Sequence, residues 1–170
     1  MSASLVGSEM CIRDRINNKL AYQNHIIRLN NADDTFLVGV IMFDLNNLKR
    51  VNDTLGHEMG DRYIESFSAI LAGVQNERIS AYRIGGDEFC VILEKTNAVE
   101  IHQILDSLER KINVYNEKNN IKISYAKGYE ISTREHYYLM EELTKRADSR
   151  MYENKRLMKG KRLDGRRLNV

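Results

Sequence analysis

The sequence predicts an α+β domain, and three patterns carry that expectation. Ile79-Ser80-Ala81-Tyr82-Arg83-Ile84 and Phe89-Cys90-Val91-Ile92-Leu93 are strand-type runs. The Gly85-Gly86 pair between them signals a hairpin whose turn uses the positive φ that glycine adopts cheaply. Phe36 to Phe43 is a nearly unbroken apolar run, which fits a strand buried on both faces. Around these strands, apolar residues recur at helical spacing. At 170 residues the chain has the size of one domain and can enclose a core. No internal repeat or low-complexity linker divides it.

Taken in order, residues 1–15 show no periodicity. From Ile16 to Asn30 the apolar positions Ile16, Leu20, Ile26, Ile27 and Leu29 fit a short amphipathic helix. Asn31-Ala32-Asp33-Asp34 then turns the chain into the first strand, which ends at Asp44-Leu45-Asn46. Two helices follow, about Asn47 to Leu55 and Met59 to Gln75, broken at Gly56. Tyr63, Ile64, Phe67, Ile70, Leu71 and Val74 give the second a core face. After the hairpin, a helix from about Ala98 to Asn116 buries Ile101, Ile104, Leu105, Leu108, Ile112 and Tyr115. Ile121 to Ile131 alternates as a half-buried strand does. A last helix, about Tyr138 to Met158, turns Leu139, Leu143, Ala147 and Met151 inward. The chain has no proline, in keeping with uninterrupted elements.

A net charge of +2 excludes a generally basic protein built to coat nucleic acid. Cys11 and Cys90 lie too far apart for a metal motif and are too few for a disulfide framework, so a reducing, cytoplasmic setting is expected. No apolar stretch approaches the roughly 20 residues of a membrane helix. The N-terminus lacks the basic-then-apolar order of a signal peptide. No membrane contact is expected of this chain.

Chemistry is expected at the hairpin tip. Asp87 and Glu88 concentrate negative charge that nothing in the local sequence neutralises, and a bound cation commonly relieves such charge. Asp44 adds a carboxylate at another strand end. Alternation along a strand sends Asp87 and Glu88 to opposite faces, so they are expected to have separate roles. The plainer alternatives are solvated turn acids at the tip and a helix-capping role for Asp44.

Gly85-Gly86-Asp87-Glu88-Phe89 matches in full the signature of the GGDEF family of diguanylate cyclases. The stretch from Phe43 through Asp44-Leu45-Asn46-Asn47-Leu48-Lys49 to Gly56-His57-Glu58-Met59-Gly60-Asp61 resembles the family's Asp-x-Asp-x-Phe-Lys-x-x-Asn-Asp-x-x-Gly-His-x-x-Gly-Asp. The resemblance covers residues 16–162. Residues 1–15 do not look like the family and are expected to be foreign or disordered, and 163–170 form a basic tail. It implies a ferredoxin-like palm, a central antiparallel sheet flanked by helices as in nucleotide cyclases. It also implies condensation of two GTP into cyclic di-GMP with release of pyrophosphate, on two Mg2+ or Mn2+ ions per active site.

Residue by residue, the resemblance makes Asp87 a ligand of both metals and the base for the attacking 3′-hydroxyl. Asp44 becomes the first-strand ligand, Leu45 a ligand through its carbonyl, and Glu88 a required acid. Triphosphate binding falls to Lys49, which the resemblance also makes a catalytic residue that stabilises the transition state, to Asn47 and Leu48 at the amide-bearing start of the helix, and to Lys155 in Ala147-Asp148-Ser149-Arg150-Met151-Tyr152-Glu153-Asn154-Lys155. Whether Lys159 or Lys161 supplies a further cation is open, because one extra residue precedes Gly160. Asn52 and Asp61 are expected to read guanine, whose N1 and N2 donors suit a carboxylate. Gly56 and Gly60 are expected to let the backbone come close to the base, and His57 is expected to be structural. The family's inhibitory Arg-x-x-Asp window reads Asn76-Glu77-Arg78-Ile79 here, so no product-inhibition site is expected. Catalysis implies a two-fold homodimer, the isolated chain being monomeric, within the cytoplasm or the cytoplasmic part of a larger sensor. The alternatives are a catalytically weak or inactive module that binds GTP or a protein partner, and, less favoured, a nucleic-acid contact through the basic tail.

Overall fold

A computed structural model describes residues 16–32 and 37–167, with side chains described to residue 160. The expected segment 1–15 and part of the turn before the first strand lie outside the described residues. In order the elements are α1 (Lys19–Asn30), β1 (Val38–Leu45), α2 (Leu48–Leu55), α3 (His57–Ala72), β2 (Ile79–Arg83), β3 (Glu88–Glu94), α4 (Ala98–Lys118), β4 (Tyr125–Ser132) and α5 (Met140–Arg167). The sheet is antiparallel throughout, in the order β2-β3-β1-β4. All eight residues of β1 are buried, as the unbroken apolar run requires.

Alternation along the strands separates two cores. Ile41, Phe43, Leu45, Phe89, Val91 and Leu93 meet Tyr63, Phe67 and Leu71 of α3 and Ile101, Leu108 and Ile112 of α4. Val40, Met42, Cys90 and Ile92 meet Leu29 of α1 and Met140, Leu143, Ala147 and Met151 of α5. Phe67 stacks edge-on against Phe43 and Phe89, with ring centres 5.8 and 5.0 Å apart, a favoured aromatic geometry.

The chain before α1 extends the sheet. Asn17 bridges to Tyr82 in parallel, its N–H donating to the Ala81 carbonyl at 3.0 Å and its carbonyl accepting from Arg83 at 2.9 Å. Asn18 caps α1 by accepting from Ala21 N–H at 3.0 Å. From α1, buried His25 bonds the Tyr82 hydroxyl through Nδ1, and Arg28 donates to His25 Nε2 at 2.7 Å. The same Nε2 lies 3.0 Å from the Glu94 carboxylate, so His25 stands between a cation and an anion. Burial and the Arg28 charge hold the His25 pKa below its usual value, outweighing Glu94.

Several expectations shift. Leu20 and Ile27 point outward from α1, where Leu29, Tyr22 and Ile26 pack instead. The last helix starts two residues later than expected, so Leu139 is exposed and Met140 opens the inward stripe; the helix runs on to Arg167, past Met158. β4 begins at Tyr125 rather than Ile121, because the Asn116 side chain pairs with Ile123, accepting from its N–H at 2.7 Å and donating to its carbonyl at 2.9 Å. Neither hairpin glycine takes positive φ; among described glycines that belongs to Gly56, at 86°, between α2 and α3. The tip is wider than a two-residue turn, with Ile84 and Gly85 N–H both donating to the Glu88 carbonyl, so its glycines need no left-handed backbone.

Candidate active site

The end of β1 organises the site. Asp44 pairs in register with Glu88 of β3, so the two carboxylates leave the sheet on the same face, the one covered by α5. Asp44 is 7% exposed. Its two oxygens each accept from the Lys155 ammonium of α5 at 2.7 Å. Asp87, one residue before β3, instead lines a cavity of about 230 Å³ with Leu45, Asn46, Asn47, Leu48, Lys49, Lys155, Met158 and Lys159. The adjacent acids thus take separate positions, as alternation requires.

Backbone contacts hold this arrangement. Leu45 N–H donates to the Asp87 carbonyl at 2.8 Å, and Asn46 N–H to the Ser124 carbonyl at 2.8 Å. Asn47 then turns at φ 66°, a left-handed conformation that asparagine tolerates better than most residues. No side chain caps α2, so its first-turn amides are available beside the cavity. Arg83 braces the hairpin tip, donating through Nε to the Gly85 carbonyl at 3.2 Å and through its terminal nitrogen to the Gly86 carbonyl at 2.9 Å. A side chain at Gly85 would meet the Glu88 carboxylate, whereas Gly86 has open space around it.

The electrostatics are those of crowded acids. The Glu88 pKa is raised, first by loss of hydration against the surrounding chain although the residue is exposed, then by the like charges of Asp87, Asp148 and Asp44. Lys155 offsets part of this. Among the described residues no three His, Cys, Asp or Glu side chains form a ready metal cluster. Two carboxylates and the Leu45 carbonyl therefore need further oxygen donors to hold a cation.

Leu45, Asn47, Leu48, Lys49, Asp87 and Lys155 meet at one cavity, and Asp44 joins through Lys155. Lys159 lines it too, while the side chain of Lys161 lies outside those described. Asn52 and Asp61 do not line it. Asn52 lies against Gly60, the residue before Asp61 in α3: a Cβ on Gly60 would lie 1.7 Å from Asn52 Oδ1. Gly60 thus leaves room for the Asn52 side chain. Sequence reasoning missed Arg83, Asn46, Met158 and the charge of Asp148. Only Asp148 carried a signal, its place seven residues before Lys155 on one helix.

Over residues 14–161 the sequence matches the family described as diguanylate cyclase, GGDEF domain. It is 34% identical over 147 residues to diguanylate cyclase DgcN of Escherichia coli strain K12, covering 81% of this chain and 35% of DgcN. With diguanylate cyclase VdcA of Vibrio cholerae it shares 28% identity over 144 residues, 82% of this chain and 42% of VdcA. The chain therefore spans less than half the length of these curated relatives. The crystal structure of the coiled coil and GGDEF domain of DgcB from Caulobacter crescentus, in complex with c-di-GMP, superposes with a TM-score of 0.79 at 20% identity, covering 88% of this chain and 82% of that one. At that identity the likeness is one of fold. Family match and fold agree with the two motifs at the sheet end: the chain belongs to the GGDEF family of diguanylate cyclase domains.

Proposed function

We propose that this chain is the catalytic domain of a diguanylate cyclase, joining two GTP molecules into cyclic di-GMP and two pyrophosphates. One observation carries the reading: Lys155 holds Asp44 at the end of β1 and lines one cavity with Asp87 of the adjacent hairpin tip and the first turn of α2. Phosphoryl transfer requires carboxylates from separate segments together with cationic and amide donors for a polyphosphate.

The donor chemistry fits a hard divalent cation. Asp44, Asp87 and the Leu45 carbonyl are oxygen ligands of the kind Mg2+ or Mn2+ takes, with phosphate oxygens completing the shell. Loss of hydration raises the Glu88 pKa most, and the like charges of Asp87, Asp148 and Asp44 that add to it are the excess negative charge such an ion relieves. Two bound ions would neutralise the triphosphate and make the 3′-hydroxyl easier to deprotonate.

The chain's own groups have the remaining tasks. Asp61 accepts from guanine N1 and N2, and Asn52 bonds the remaining base edge. Lys49 and the amides of Asn47 and Leu48 hold the phosphate tail. Lys155 turns from Asp44 toward phosphate, Asp87 receives the proton of the attacking hydroxyl, and Glu88 supports the site from the α5 face. Each domain holds one GTP, so two domains meet across a two-fold axis to bring each hydroxyl to the other's α-phosphate. The product does not feed back through the usual window, because Ile79 is buried and Arg78 is engaged with the carbonyls of Glu94 and Lys95 and with Glu100.

The test is incubation with GTP and Mg2+ followed by assay of cyclic di-GMP and pyrophosphate. Both products are expected. GTP binding without either would move the chain to the alternative, a non-catalytic signalling module. Asp61→Asn should raise the GTP dissociation constant and narrow the preference over ATP by about tenfold, since an amide offers one acceptor to two donors. Unchanged preference in a nucleotide titration would remove Asp61 from the base site.

A further inference from the structure

We infer that Tyr63 is a positioning residue for the nucleotide phosphates, acting through Asn46, an inference that rests on the nucleotide reading of the cavity. Tyr63 belongs to α3 and is 2% exposed. Its ring packs in the core beside α2 and α4, a task phenylalanine would perform equally. Its hydroxyl does something else. It donates to the Asn46 carbonyl at 3.0 Å, lies 3.2 Å from the Ser124 carbonyl, and accepts from Ser124 N–H at 3.0 Å. Asn46 is held in turn by its N–H on the Ser124 carbonyl at 2.8 Å and by its side-chain amide on Ser124 Oγ at 3.1 Å. A single residue, 8% exposed, is thus fixed through its N–H, its carbonyl and its side chain.

What this clamp fixes is the turn that builds the cavity. Leu45, before Asn46, contributes a carbonyl and ties its N–H to Asp87 of the hairpin tip. Asn47, after it, adopts φ 66° and opens α2 without a capping bond. A left-handed non-glycine residue costs energy and persists where its surroundings over-determine it. Tyr63 and Ser124 supply that over-determination for the residue next door, and so aim the first-turn amides of α2 and the Leu45 carbonyl at one place. Asn52 and Asp61, assigned to the base, do not line the cavity that this turn builds. Loss of the hydroxyl should therefore weaken the grip on phosphates and spare the grip on guanine.

The experiment uses the full chain with Mg2+ and compares GTP with guanosine as probes, by calorimetry or NMR titration. For Tyr63→Phe the expected result is a GTP dissociation constant raised about tenfold, the scale of one hydrogen bond lost with its partner left buried, and a guanosine constant unchanged within about twofold. Amide hydrogen exchange over residues 46–49, measured without nucleotide, should accelerate. Ser124→Ala, which removes the side-chain acceptor of Asn46, should give about a threefold loss for GTP, and it serves as the measurement if Tyr63→Phe does not fold. Equal losses for GTP and guanosine, or an unchanged GTP constant, would overturn the clamp while GTP binding by the unsubstituted chain preserves the nucleotide reading. Absence of GTP binding by the unsubstituted chain would overturn both.

Discussion

The Lys155 ammonium spans both oxygens of Asp44 and shares a cavity with Asp87, and its charge acts on Glu88. Substituting asparagine for either proposed ligand keeps the shape and removes the charge. Asp87→Asn should lower cyclic di-GMP formation by at least ~10²-fold, the scale of one lost electrostatic group in a reaction site, with thermal stability within about 0.5 kcal/mol because the residue is only partly buried. Asp44→Asn should abolish turnover similarly, and also cost about 1–3 kcal/mol because Lys155 loses its partner. Normal product formation by either variant would refute the assignment. His25 gives a prediction of different kind. Its folded pKa lies below the unfolded value of about 6.5, so the unfolded chain binds more protons as pH falls through that value. Stability is therefore full above about pH 7 and declines below 6.5, by at most ~1.4 kcal/mol per pH unit. Glu94, which Arg28 and His25 hold below its usual range although burial opposes them, adds a further loss in more acidic solution. Thermal midpoints between pH 7.5 and 5.5 should fall for the unsubstituted chain and lose most of that slope in His25→Gln; identical slopes would exclude His25 as the cause.

Among the elements, the packing of α5 on β4 is set by a glycine. A Cβ on Gly128 would lie 2.1 Å from the Met151 nitrogen and 2.4 Å from the Ala147 carbonyl oxygen, and backbone cannot yield as a side-chain tip can. Gly128→Ala should cost about 3 kcal/mol, the upper end of overpacking penalties, and should also weaken GTP binding, since α5 carries Lys155. Denaturant titration and a nucleotide titration of the same variant check both; unchanged stability would show that α5 is free to shift. These elements were legible in the sequence to differing degrees. β1 and the core faces of α3 and α4 follow local periodicity, and the two motifs bring Asp44, Lys49 and Asp87 into view without coordinates. Periodicity could not see that Asn116 would replace four residues of expected strand, because that depends on a side chain folding back from the preceding helix. Nor could it separate Leu139 from Met140, since both fit an apolar stripe and only the entry angle of α5 decides. The Lys155–Asp44 pair joins residues 111 apart, and Arg83 acts on carbonyls, which leave no trace in residue identity.

For the molecule as a whole, the proposed catalysis between two facing domains would make activity a matter of concentration. Product formed per molecule should rise with protein concentration until the dimer predominates, and enforced pairing through a fused dimeric coiled coil should raise it at low concentration. A specific activity independent of dilution would contradict the two-domain scheme. Among the described residues no helix is long and apolar enough to cross a membrane. The central place of β1 also bears on how the chain is made. β1 is an early strand, yet its neighbours are β3 and β4, the latter complete only at Ser132. At synthesis rates of ~5–20 residues per second, the ribosome needs roughly 5–20 s to go from Leu45 to that point. Val38 to Phe43, uncharged and apolar, has no sheet partner until β3 is complete at Glu94 and keeps one edge open until Ser132, which makes it a ready template for intermolecular strand pairing. Yield in a cell thus depends on nascent-chain chaperones and on the pace of translation between these two points, independently of how stable the finished domain is.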